Sequence, residues 1–158
     1  MIRFLFALLL GTLPLAAQEV VDMAVDPGWA VHPTEFDFDT LVERTNAAVS
    51  ENGMAVVTRA GPTGAAARRG IEIPGNMVIG VFNNAFAVRI LQHSTQAMIH
   101  APIRLYVTEN SDGTATLSYI LPSEIFGPYT ADANPDLMDA AMELDAIFAA
   151  IAEDAIAG

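Results

Sequence analysis

The sequence contains no cysteine and no lysine. Without cysteine the protein has no disulfide, no thiolate nucleophile, no thiolate metal site and no covalent c-type haem. It also has no lipoprotein anchor, which would need a cysteine after the leader. Every basic side chain is an arginine, and there are few of them. Lys and Arg together number 7 against 19 Asp and Glu, for a formal charge of −12. Such a surface repels nucleic acid, whose binding rests on neutralising phosphates, and it repels anionic lipid. Acidity of this kind keeps a secreted protein soluble. No apolar run reaches the roughly 20 residues needed to cross a bilayer. No Ser sits in G-x-S-x-G, no H-E-x-x-H is present, and the acidic stretches lack the calcium-loop pattern. A hydrolase reading therefore has nothing positive behind it, and the sequence calls for no cofactor.

What is present begins with a leader. Arg3 opens "MIRFLFALLLGTLPLAAQEVV" with a positive charge, and Phe4 to Leu10 is apolar. Pro14 breaks the run, and Ala16-Ala17 offers small residues to a signal peptidase. Residues 1–17 are expected to be a cleaved secretory signal, with an uncleaved amphiphilic anchor as the alternative, so that the mature chain is residues 18–158, periplasmic or secreted and without a membrane span. Losing Arg3 takes the formal charge to −13. About 140 residues remain, the size of one domain. With 53% of residues hydrophobic, the chain can build a core that needs no disulfides.

The first strand is expected around Trp29 to His32. Asp37 is placed as a helix N-cap, with Phe36 and Leu41 as a hydrophobic staple. Leu41, Thr45, Ala48, Val49 and Asn52 share one side at helical spacing, and Asn52-Gly53 closes the helix. "MAVVTRA" reads as a strand. "GPTGAAARRG" reads as a loop with a short helical turn. "NMVIGVF" reads as a buried central strand. A helix is expected from about Asn84 to Ala101, stopped by Pro102. "IRLYVTE" and "TATLSYIL" flank Asp112-Gly113 as a hairpin. "PSEIFGPYTADAN" reads as an irregular connection. Asn134 is expected to cap a last helix, with Pro135 in its first position. Leu137, Ala141, Leu144, Phe148, Ile151 and Ala155 form its apolar stripe. The order β-α-β-(turn)-β-α-β-β-α predicts an α+β two-layer sandwich, with one mixed sheet and helices on one face.

These pieces carry a family resemblance. Gly53 followed by "MAVVTR", "GIEIP" at Gly70 to Pro74, the apolar strand ending in Phe82-Asn83, "PIRLYV" at Pro102 to Val107, the Asp112-Gly113 turn and Ser118-Tyr119 occur in an order and spacing that resemble the domain of unknown function 302 family. The likeness runs from about Trp29 to the C-terminus. It implies a compact α/β domain, similar in topology to the TATA-box-binding-protein fold and often dimeric, and it implies no established activity. Two departures stand out. Phe82 and Asn84 occupy the positions of the family's Gly and Pro in Gly-Asn-Pro. Gly61-Pro62 replaces an Asp-His pair often found after the second strand.

Three groups of residues bear on function. On the Asn84–Ala101 helix, Phe86, Ile90, Ser94, Ala97, Met98 and Ala101 make an apolar face, with Arg89, His93, Gln96 and His100 beside it. His93 and His100 are seven apart, roughly 10 Å along a helix axis, too far to chelate one ion together. They read as boundary residues. The metal- or haem-binding alternative would use His93, His100 or His32 with ligands from elsewhere. Asn83 and Asn84, where a strand enters that helix, can offer converging N–H groups to a small anionic ligand, with Arg89 adding charge. The simpler reading makes Asn84 the helix cap. Finally, Arg104, Tyr106, Thr108, Thr116 and Ser118 alternate with apolar neighbours, so the sheet face away from the helices is expected to be polar. Such a face suits a subunit contact or a shallow binding surface, and equally a plain solvated face, since antiparallel strands commonly leave one side wet. The expectation is an exported, homodimeric, non-enzymatic binding or assembly module of the cell envelope.

Overall fold

In a computed structural model of the chain, residues 21–130 and 135–158 are described. The expected signal at residues 1–17 and the expected cap Asn134 lie outside the described residues. Five strands form one sheet: β1 (Trp29–Pro33), β2 (Ala55–Ala60), β3 (Asn76–Phe82), β4 (Ile103–Glu109) and β5 (Ala115–Ile120). Their order is β1-β5-β4-β3-β2, and every neighbouring pair is antiparallel. The α+β sandwich stands, but the sheet is antiparallel rather than mixed. The β3-to-β4 connection explains the difference. A single long helix there would carry the chain along the sheet and favour a parallel return. Instead α3 (Asn84–His93) stops early, and the chain turns back through a short 3₁₀ segment at Ala97–His100.

The helices that cover the sheet begin as their sequences dictate. α1 (Phe38–Glu51) is capped by Asp37, whose carboxylate accepts from the Thr40 N–H at 2.8 Å. That bond holds the Asp37 carboxyl below the usual carboxylate range. The helix buries Leu41, Thr45, Ala48 and Val49. It ends at Asn52, followed by Gly53 with a φ of 71° that favours glycine. A short α2 (Thr63–Ala67) links β2 towards β3. The last helix, α5 (Asp136–Ile156), buries the whole predicted stripe, from Leu137 to Ala155. It has no basic residue in its final turn. Arg44 of α1 supplies the cation instead. Its guanidinium donates to the Ala155 carbonyl at 2.6 Å and also to those of Asp154 and Ala157, satisfying the free end of the helix.

β4 separates the two faces of the sheet. Ile103, Leu105 and Val107 are buried on the helix side, where they meet Ile79, Val81 and Leu117 of the neighbouring strands. Tyr119 packs on Phe148 of α5 with ring centroids 5.5 Å apart. Arg104, Tyr106 and Thr108 point the other way. After β5 the chain does not run on irregularly. It forms α4 (Pro122–Phe126) and a 3₁₀ turn at Gly127–Tyr129. α4 is anchored by Phe126, fully buried in the core. Ser123 N–H also donates to Asp145 of α5 at 2.9 Å.

Candidate site on the open sheet face

The register places Trp29 opposite Ile120, Tyr106 opposite Val78 and Ser118, and Asn76 opposite Thr108, all on the face away from the helices. This is the face expected from the alternation of β4 and β5, but Trp29, Val78 and Ile120 make it part apolar rather than polar throughout. Thr116 and Ser118 lie on it but are buried. The Thr116 hydroxyl donates to the Asn110 side-chain oxygen at 2.9 Å.

At one end of this face α4 and its 3₁₀ turn rise beside the sheet and enclose a groove of about 710 Å³. Its floor is Trp29, Ile120, Arg104, Tyr106, Asn76 and Val78. Its wall is Glu124, Ile125, Pro128, Tyr129 and His100. The volume lies in the range of small-molecule sites. The lining is mostly apolar, with a few polar groups fixed in place. His100 Nε2 lies 2.9 Å from the Tyr129 hydroxyl, and the two rings meet edge-on. The Asn76 amide donates to the Tyr106 phenol oxygen. A second cavity, of about 460 Å³, continues from Asn76 and Tyr106 towards Thr108 and Glu109, under residues 21–26. Asp22 holds that segment by accepting from the Ser111 N–H at 2.7 Å and from its hydroxyl at 3.1 Å. The Thr108 hydroxyl, buried beside this cavity, has no hydrogen-bond partner among the described residues.

The residues singled out in the sequence fall in separate places. Asn83, not Asn84, caps α3: its side-chain oxygen accepts from Ala85 N–H at 2.8 Å and Phe86 N–H at 3.3 Å. Its amide donates to the Gly53 carbonyl at 3.0 Å. Asn83 has the extended backbone of a cap, and Asn84 is already the first helical residue. Arg89 grips Glu143 of α5 through two bonds of 2.6 and 2.9 Å. That bond holds the Glu143 carboxyl below its ordinary range. The polar groups of Asn83 and Arg89 are thus engaged within the fold.

The histidines also separate. His93 ends α3, and His100 belongs to the following 3₁₀ segment rather than the same helix. His100 faces the open-face groove. His32 lies on the opposite, helix-covered face, stacked on Tyr119 with centroids 6.0 Å apart. Its Nε2 is buried with no hydrogen-bond partner among the described residues, and burial lowers its pKa, opposed by the charge of Glu153. Among the described residues no three His, Asp or Glu side chains gather as a metal site, and no helix is long and apolar enough to cross a membrane.

The groove was only half legible in the sequence. Alternation gave Arg104 and Tyr106 their face, but Trp29, Asn76, His100 and Tyr129 come from four distant segments that no local pattern links. Comparison with known proteins agrees with the fold. The model of the family described as Domain of unknown function DUF302 matches residues 30–155. The crystal structure of an uncharacterized conserved DUF302 protein from Bacillus stearothermophilus is similar, with a TM-score of 0.72 and 18% sequence identity over 82% of this chain and 99% of that one. No curated protein matches the chain. The chain belongs to the DUF302 family.

Proposed function

From this family membership and the open-face groove, we propose that the protein is an exported, non-enzymatic binding module that holds a small, largely apolar ligand. The observation that carries the reading is the groove itself. A roughly 710 Å³ concavity, mostly apolar and with fixed polar groups, sits on a sheet face that the helices leave free. Most such faces on antiparallel sheets are simply wet. This one is walled by α4, which the core holds through Phe126. Export rests on Arg3, the apolar run to Leu10 and Ala16-Ala17. It places the module in the periplasm or outside the cell.

A thermal-shift screen of small amphipathic molecules tests the binding reading. Val78 lies half-buried on the groove floor. Val78→Trp should fill the groove and abolish stabilisation by the ligands that raise the melting temperature of the native protein. Ligands that stabilise both proteins equally would place binding elsewhere.

A second reading uses the same face to join two copies. It is favoured by Trp29 and Ile120, two large side chains left half-exposed beside each other on that face. Sedimentation of the mature chain distinguishes them. A dimer that Trp29→Glu converts to a monomer would support this second reading.

A further inference from the structure

We infer that the ligand of the open-face groove is an amphipathic monocarboxylate, with its carboxylate on Arg104 and Tyr106 and its apolar body against Ile125 and Trp29. This deepens the binding reading above and rests on it.

Arg44, Arg59 and Arg89 are hydrogen-bonded within the fold, and Arg68 and Arg69, just after α2, lie away from the groove. The exposed Arg104 guanidinium makes no hydrogen bond or ion pair with any described residue, and it is the arginine that lines the groove. An unpaired guanidinium beside an apolar concavity favours an anion there, and its planar fork matches a carboxylate with two parallel bonds.

A second donor stands beside it. Tyr106 is two residues along β4 and so shares the face with Arg104, about 7 Å along the strand. The Asn76 amide already donates to the Tyr106 phenol oxygen, which leaves the hydroxyl proton to be donated to a ligand. Opposite Arg104 on β3 is Gly80, which has no side chain of its own beside the guanidinium.

The single charge follows from what surrounds the site. One arginine lines the groove and offers one fork. Glu124 also lines the groove, and the chain carries −12 overall. Both oppose a ligand with two or more negative charges, such as a phosphate monoester. The apolar body follows from the lining, which gains by being removed from water.

The chain has one tryptophan, and it lies in this groove. Trp29 emission therefore reports occupancy directly. The mature chain is titrated with octanoate, octanamide and octylamine, with calorimetry alongside. Octanoate should bind about tenfold or more tightly than octanamide, the discrimination expected of a charge-assisted hydrogen bond, and octylamine most weakly. Arg104→Gln should reduce octanoate to the affinity of octanamide, and Arg104→Lys should restore part of the difference. Tyr106→Phe should weaken octanoate more than octanamide. Equal affinity of the native protein for octanoate and octanamide would overturn the carboxylate assignment and leave the binding groove standing. No response to any of the three would overturn both.

Discussion

At the scale of single residues, the structure separates side chains that hold the fold from those left available. Asn83 satisfies two N–H groups at the start of α3 and also ties the helix to Gly53. Asn83→Ala should therefore cost about 1 kcal/mol, the usual worth of a cap. Asn84→Ala should cost much less, and chemical denaturation of the two variants checks the order. The sequence points to Asn84 as the cap, one residue past the Asn83 that caps in the structure. Either side chain can cap, and only the backbone conformation decides. His32 makes a different prediction. Burial lowers its pKa below the ordinary 6.5. The unfolded chain then takes up the proton at a higher pH than the folded one. The stability from neutral His32 is fully present above that ordinary value. It is lost as the pH falls through the window towards the folded pKa. His32→Phe should flatten the fall in melting temperature between about pH 7 and 5, before most carboxylates titrate. An unchanged slope would mean that His32 is not the group responsible.

At the scale of elements, the legible pieces are those whose signals are local. The Asp37 cap, the turn at Asp112-Gly113 and the α5 stripe each depend on a few adjacent residues, and each appears where expected. The Asn84–Ala101 segment is the instructive departure. Its apolar spacing continues past His93, but Ser94 has an extended backbone and its hydroxyl accepts from Ala97 N–H at 3.1 Å. A serine that bonds the backbone in this way competes with the helix, and periodicity alone does not register that competition. α4 carries no local signal for another reason: what holds it is tertiary, through Phe126 in the core and Ser123 on Asp145. α5 yields the sharpest stability test. Phe148 is fully buried against Tyr119, so Phe148→Ala should cost about 3–5 kcal/mol. A loss below about 1 kcal/mol, the scale of surface changes, would mean that α5 is not docked as described.

At the scale of the whole molecule, the two faces of one antiparallel sheet divide the work. One face packs α1, α3 and α5 into the core. The other keeps Trp29, Arg104, Tyr106 and Asn76 in a groove walled by α4 and His100. The layering was readable because strand alternation sorts residues by face, whereas the groove depends on strand order, which brings β1, β5, β4 and β3 side by side. If the chain is exported as proposed, mass spectrometry of the native protein should find its N-terminus near Gln18. The central claim is that the open face, and not the start of α3, is where the protein binds. Hydrogen exchange of the mature chain with and without octanoate tests it most directly. The account predicts slowed exchange in peptides covering residues 100–109 and 120–129, with residues 83–93 unchanged. Slowing confined to residues 83–93 would contradict it.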